Sequence, residues 1–105
     1  MDLLNAKRNE CLRLVRMSNR RVNEIRIGNN ESSAHRDKKI EICTELLKSG
    51  KCFVTEAIFV NGGRADILVL DDFRVVEIMS SEKEFSIYEK KKLYPVGLRL
   101  EVIKV

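Results

Sequence analysis

The chain has 105 residues, 44% of them apolar and 34% charged, with five glycines and one proline. That length suits one domain with a modest core; Pro and Gly are too scarce for a long disordered linker, and no apolar run approaches the roughly 20 residues that cross a bilayer. The formal net charge of +4 is unevenly placed: residues 1–30 hold seven Lys and Arg against three Asp and Glu, and the remainder balances to zero.

The N-terminus, Met-Asp-Leu-Leu-Asn-Ala-Lys-Arg, lacks the apolar stretch and small-residue cleavage site of a secretory signal, which predicts an intracellular, cytoplasmic protein. Cys11, Cys43 and Cys52 are odd in number and have no C-x-x-C spacing. They are expected to be free thiols rather than a disulfide framework or a zinc site.

Leu3, Leu4, Cys11, Leu12, Leu14, Val15 and Met17 recur at roughly helical intervals and predict a first helix over about residues 2–18. Arg20 to Ile27 reads as a short strand or a helix extension. Gly28-Asn29-Asn30-Glu31-Ser32-Ser33 is a break, dividing the chain into a basic N-terminal arm, 1–30, and a compact core, 31–105. Arginine dominates the arm. Its guanidinium fork grips phosphate oxygens, so Arg8, Arg13, Arg16, Arg20, Arg21 and Arg26 point to nucleic acid as partner. The competing reading is a basic helix that only keeps the chain solvated.

Ser33 is a fitting N-cap for a helix over 34–48 that stops at Ser49-Gly50. Three strands follow, over 52–60, 64–70 and 73–79, separated by Asn61-Gly62-Gly63 and by Asp71-Asp72. Ser81-Glu82-Lys83-Glu84 matches a capping box and opens a helix to about Tyr94, which Pro95-Val96-Gly97 ends. Residues 98–105 close the chain as a strand. The long apolar runs in the middle strands imply a sheet covered on both faces, hence an α/β sandwich with an additional basic N-terminal helix.

Two carboxylates interrupt those runs, Asp66 and Glu77. If Asp71-Asp72 is a two-residue hairpin loop, Leu70 pairs with Phe73 and Asp66 falls opposite Glu77, with Cβ atoms about 5 Å apart. Like charges so placed repel unless a cation bridges them or one binds a proton. A three-residue Asn61-Gly62-Gly63 loop pairs Val60 with Arg64 and keeps Glu56 on the face of Asp66. Three carboxylates on one face make a hard oxygen site suited to Mg²⁺ or Mn²⁺. The alternative is that Asp66 and Glu77 sit near strand ends in salt bridges with Arg64 and Arg74.

This pattern resembles the PD-(D/E)XK nuclease superfamily, which includes restriction endonucleases, archaeal Holliday-junction resolvases and RecB-type nuclease domains. The resemblance covers about residues 34–105 and lies in the order helix, three strands, helix, strand. Gly63-Arg64-Ala65-Asp66 stands in the place of the family's Pro-Asp element and Val76-Glu77-Ile78-Met79 in that of its E-x-K strand. The chain also looks like small archaeal and archaeal-virus members that lack the lysine, here replaced by Met79. The resemblance implies a restriction-endonuclease-like mixed sheet flanked by helices, with Asp66 and Glu77 as metal ligands and Glu41 or Glu45 as an acidic contribution from the preceding helix. The family's lysine helps orient the attacking water and offsets charge in the transition state, which methionine cannot do. Arg64, Lys38 or Lys39 are the candidates to replace it.

His35, the only histidine, is either a surface or capping residue or an acid–base group. Lys90-Lys91-Lys92 reads as a solvated face, and Tyr94 as part of the core side of its helix. The function expected from these features is a DNA-binding, metal-dependent endonuclease that hydrolyses phosphodiester bonds. A homodimer would let so small a chain reach both strands, and no membrane is involved. The alternative is a catalytically inactive subunit that keeps the fold and binds nucleic acid or serves in assembly.

Overall fold

A computed structural model describes residues 2–79 and 89–105. In chain order the elements are α1 (Leu3–Leu12), a 3-10 turn (Met17–Asn19), α2 (Ser33–Lys48), β1 (Phe53–Ile58), β2 (Arg64–Val69), β3 (Arg74–Met79) and β4 (Arg99–Lys104). The strands form one mixed sheet in that spatial order, β1, β2 and β3 antiparallel and β4 parallel to β3. A parallel neighbour needs a crossover rather than a hairpin, and residues 89–91 of that connection are helical. The capping box Ser81–Glu84 and the start of its helix lie outside the described residues.

Both faces of the sheet are covered, as the apolar runs predict. Cys43 and Leu46 of α2 pack on one side against Phe53, Ile67, Val69, Val76 and Ile78. Cys11 and Val15 pack on the other against Val54, Phe59, Leu68 and Val75, joined at the margin by Tyr94 and Leu98. Each fully buried aliphatic side chain contributes about 1.5–3 kcal/mol. The three cysteines are free thiols, and burial pushes Cys11 up to about 12 and Cys43 up to about 11. Among the described residues no helix is long and apolar enough to cross a membrane.

The first helix stops at Leu12, well short of residue 18, because Leu14 and Val15 turn inward. Leu14 N–H and Val15 N–H bond the Cys11 and Leu12 carbonyls (both 3.0 Å), and Val15 forms a bridge to Phe59. Residues 20–27 are neither helix nor regular strand, yet Val22 bridges Val54 and the Asn23 side chain accepts from Phe53 N–H at 3.0 Å. This segment covers the outer edge of β1, which would otherwise expose unpaired backbone groups. The α2 N-cap is Ser32 rather than Ser33; its hydroxyl accepts from His35 N–H at 3.1 Å.

The acidic turn keeps the expected register, although the ladder closes at Val69↔Arg74 and Phe73 takes φ +51°. The turn between β1 and β2 does not: Arg64 pairs with Ile58, not Val60. The reason is competition from outside the hairpin, since Val60 N–H bonds the Leu14 carbonyl (2.9 Å) and Asn61 Nδ2 donates to Leu93 O (2.9 Å). Gly63 then lies so close to the Leu93 carbonyl that a Cβ would collide with it. Gly63→Ala is therefore expected to cost about 1–3 kcal/mol through forced backbone shifts, read as a lower urea midpoint.

Candidate active site

The register of β2 and β3, continued past Ile67↔Val76, brings Asp66 face to face with Glu77. Here the ladder gives way to a side chain, because Ile78 N–H donates to Asp66 Oδ2 at 2.8 Å. Glu77 is fully buried; its Oε1 accepts from the Tyr94 hydroxyl, and its Oε2 has no hydrogen bond but lies 3.5 Å from Lys90 Nζ. Burial first, and then the adjacent Asp66 charge, push the Glu77 carboxyl up to about 8, against the opposing pull of Tyr94 and Lys90. Near neutral pH the pair therefore retains a proton unless another cation takes its place.

From Asp66 a chain of polar contacts runs outward. His35 Nε2 is 3.3 Å from Asp66 Oδ2, and His35 Nδ1 is 2.7 Å from Glu31 Oε1. Glu31 Oε1 also pairs with Lys39 Nζ, while Glu31 Oε2 accepts from Gly28 N–H at 2.9 Å. Lys39, with no exposed surface, donates further to Glu56 Oε1 (2.9 Å) and to the Arg26 carbonyl (3.1 Å). Burial works against the Lys39 charge, but the Glu31 and Glu56 bonds outweigh it and hold the ammonium above its ordinary range.

Backbone geometry at β1 makes this possible. Glu56 has φ +50° in the middle of the strand, a conformation that costs a non-glycine residue about 1–2 kcal/mol. Val54 and Ala57 both pack on the α1 face, so the alternation of the strand breaks at Glu56, whose side chain reaches Lys39 of α2. Asn19 supports the bend, with Nδ2 donating to Glu56 O at 3.2 Å and Oδ1 accepting from Ile58 N–H at 2.7 Å. Glu56 thus stands opposite Asp66, between the pairs Thr55↔Ile67 and Ala57↔Ala65.

These groups border a cleft of about 800 Å³ lined by, among others, Asn19, Arg26, Glu31, His35, Glu56, Arg64 and Asp66. Its acidic wall faces a rim bearing the exposed Arg64 and the half-buried Arg26. Of the other arginines, Arg13, Arg16 and Arg21 are exposed, and Arg20 Nε donates to the Val15 carbonyl at 2.9 Å. Arg8 is engaged inside the fold. It forks onto Asp71 Oδ1 and Oδ2 (3.0 and 2.9 Å) and reaches Gly50 O (2.8 Å). Burial works to raise the Asp71 carboxyl, yet Arg8 and Cys52 N–H together hold it below the usual range.

Five residues singled out from the sequence, His35, Lys39, Glu56, Asp66 and Glu77, meet in one network, with Arg64 at the rim. Lys38 instead pairs with Glu41 at 3.1 Å, and Glu41 and Glu45 border a separate cavity of about 300 Å³. Met79 is buried. The acidic group that reaches the cluster from the α2 side is Glu31, from the break that precedes the helix. Its signal was the spacing of Glu31, His35 and Lys39, four residues apart, which continues one helix face past the N-cap. The hydroxyl of Tyr94 reaches Glu77 with no comparable signal in the sequence.

Among the described residues no group of three or more His, Cys, Asp or Glu side chains is spaced to hold a metal ion. The donor chemistry of Asp66 and Glu77 nonetheless fits a hard divalent cation, because a buried carboxylate oxygen without a hydrogen bond lies beside a second carboxylate. Glu56 is engaged by Lys39 in this arrangement. Comparison with protein-family models, with curated proteins and with solved structures returns no match.

Proposed function

We propose that this chain is a Mg²⁺- or Mn²⁺-dependent nuclease that hydrolyses phosphodiester bonds in DNA, with a restriction-endonuclease-like fold of the PD-(D/E)XK type. The observation that carries the reading is the meeting of Asp66 and Glu77 where β2 and β3 part, beside a cleft rimmed by arginine. The sheet, three antiparallel strands followed by a parallel fourth with α2 packed before them, supports the same reading.

Asp66 and Glu77 would hold the cation, which when bound supplies a Lewis acid and a more acidic water. Asp66 is fixed for this by Ile78 N–H, and Glu77 by Tyr94. His35, with Nδ1 beside Glu31 and Nε2 in hydrogen-bond reach of Asp66, is the group placed to pass a proton at Nε2. Lys39 offsets the negative charge of Glu31 and Glu56. Arg26 and Arg64 bind phosphate oxygens at the rim, and the exposed Arg13, Arg16 and Arg21 extend sequence-independent, salt-sensitive affinity for the backbone. A homodimer would bring two such clefts to the two strands.

The test is cleavage of duplex, single-stranded and branched DNA with Mg²⁺ or Mn²⁺. Asp66→Ala is expected to reduce the rate by on the order of 10²-fold or more, with DNA binding retained. If wild type and Asp66→Ala cleave alike, the nuclease reading is lost. One observation favours a second reading: Glu56 is already paired with the Lys39 ammonium, Asp66 already contacts His35, and Met79 replaces the motif lysine. DNA binding without cleavage by the wild type would identify a non-catalytic binding subunit.

A further inference from the structure

We infer that Tyr94 is a positioning residue for Glu77, its hydroxyl fixing the buried carboxylate where it meets Asp66, and that the β1–β2 turn holds Tyr94 in place. The inference rests on the proposed metal-binding role of the Asp66–Glu77 pair. It assigns a task to a residue that neither strand motif contains.

Glu77 extends from a strand into a buried environment, where the strand backbone does nothing to orient its carboxylate. Both of its oxygens face the last described turn of the crossover and the residues just after it: Oε1 accepts a hydrogen bond from the Tyr94 hydroxyl, and Oε2 lies 3.5 Å from Lys90 Nζ. Tyr94 is half-buried, and where its hydroxyl turns toward the core a carboxylate is the strongest acceptor it can find. Tyr94 is itself immobilised. Its ring meets Phe59 edge-on, with centroids 5.8 Å apart and planes at 69°. Its N–H donates to Lys91 O at 3.1 Å. The preceding carbonyl, Leu93 O, accepts from Asn61 Nδ2 at 2.9 Å and abuts Gly63 without room for a Cβ. Asn61 Oδ1 in turn accepts from Gly63 N–H at 3.0 Å, so turn and segment are locked together. The loop that displaced the expected hairpin register is therefore the same loop that aims Tyr94. A purely structural tyrosine would need its ring alone; here the hydroxyl is the part that touches the pair.

The experiment uses the full chain with Mn²⁺ alone as probe, without DNA, and compares wild type, Tyr94→Phe and Asp66→Asn. Mn²⁺ affinity is read by electron paramagnetic resonance of the free ion, and stability by thermal melting. Tyr94→Phe keeps the ring and is expected to weaken Mn²⁺ binding about 10-fold while leaving the melting temperature of the metal-free protein near the wild-type value. Asn61→Ala, which frees Leu93 O without touching the ring, is expected to weaken binding in the same direction. Wild-type affinity in Tyr94→Phe overturns the inference. In parallel, proton NMR of the metal-free chain is expected to reveal a slowly exchanging Tyr94 hydroxyl that disappears in Glu77→Ala. If wild type binds no Mn²⁺, the metal reading fails; a protected hydroxyl lost in Glu77→Ala then upholds the positioning contact, and its absence overturns it.

Discussion

Lys39→Met is expected to destabilise the protein by about 3–5 kcal/mol, the range for breaking a buried ion pair by removing one partner. Methionine preserves most of the apolar stem, so the loss comes chiefly from the stranded charges. Glu31 is the critical partner: its carboxylate is largely buried, pairs with both Lys39 and His35, and accepts from Gly28 N–H. Glu56, with a more exposed side chain, recovers solvation more easily. Glu31→Gln placed in the Lys39→Met background should restore about 1 kcal/mol or more, because neighbouring groups in one network are not additive. Urea unfolding of the four variants in this cycle measures both effects. A Lys39→Met protein within about 1 kcal/mol of wild type would mean that the network carries little stability. The folded-state pKa of Lys39 lies above its ordinary 10.5. Its contribution is thus complete below the unfolded value and fades only as pH rises through the higher folded one. The Lys39→Met deficit should therefore be flat across about pH 6–9.

Glu77 should behave in the opposite way across that window. Its carboxyl is raised from an ordinary 4.5 to about 8, by burial and then by Asp66. A raised carboxyl means that the folded protein holds a proton the unfolded chain releases. Stability from this site is complete below about pH 4.5 and is lost progressively as pH climbs through about 8. Glu77→Gln, which cannot ionise, escapes that loss. In metal-free protein its melting temperature should exceed that of wild type near pH 8–9 by about 4 °C or more, the shift that 1 kcal/mol produces in a domain of this size. Near pH 4.5 the two should converge. Mn²⁺ should narrow the gap at high pH by stabilising wild type alone, since a ligand that binds only the folded state adds stability by mass action. Melting curves that run parallel for the two proteins from pH 4.5 to 9 would show that Asp66 and Glu77 do not share a proton.

The strand order and the covered sheet were legible because they follow from local pattern. Apolar runs of strand length, punctuated by Asn61-Gly62-Gly63 and Asp71-Asp72, define three strands whatever the rest of the chain does. The acidic turn also set a register, since a short hairpin leaves few ways to pair. The companion register of β1 and β2 was not legible. Leu14 and Leu93 compete for the turn through Val60 N–H and Asn61 Nδ2, and both lie far in sequence from the pair they displace. The first helix was overestimated for a similar reason: Val15 leaves the helical face to bridge Phe59, a tertiary preference that overrides periodicity.

The sequence by itself determined which groups could do chemistry: two carboxylates in adjacent apolar strands, one histidine, and lysines at the start of a helix. Only the tertiary structure decided how they connect. The +50° backbone turn at Glu56 delivers that carboxylate to Lys39, Glu31 joins the cluster from beyond the N-cap of α2, and Tyr94 arrives from the far side of the crossover. The Glu56 and Tyr94 links depend on long-range contacts to which the local sequence is indifferent, whereas the Glu31 link follows one helix face past its cap. Burial then gives the links their weight, because away from water an unpaired charge is costly and a paired one is fixed in place.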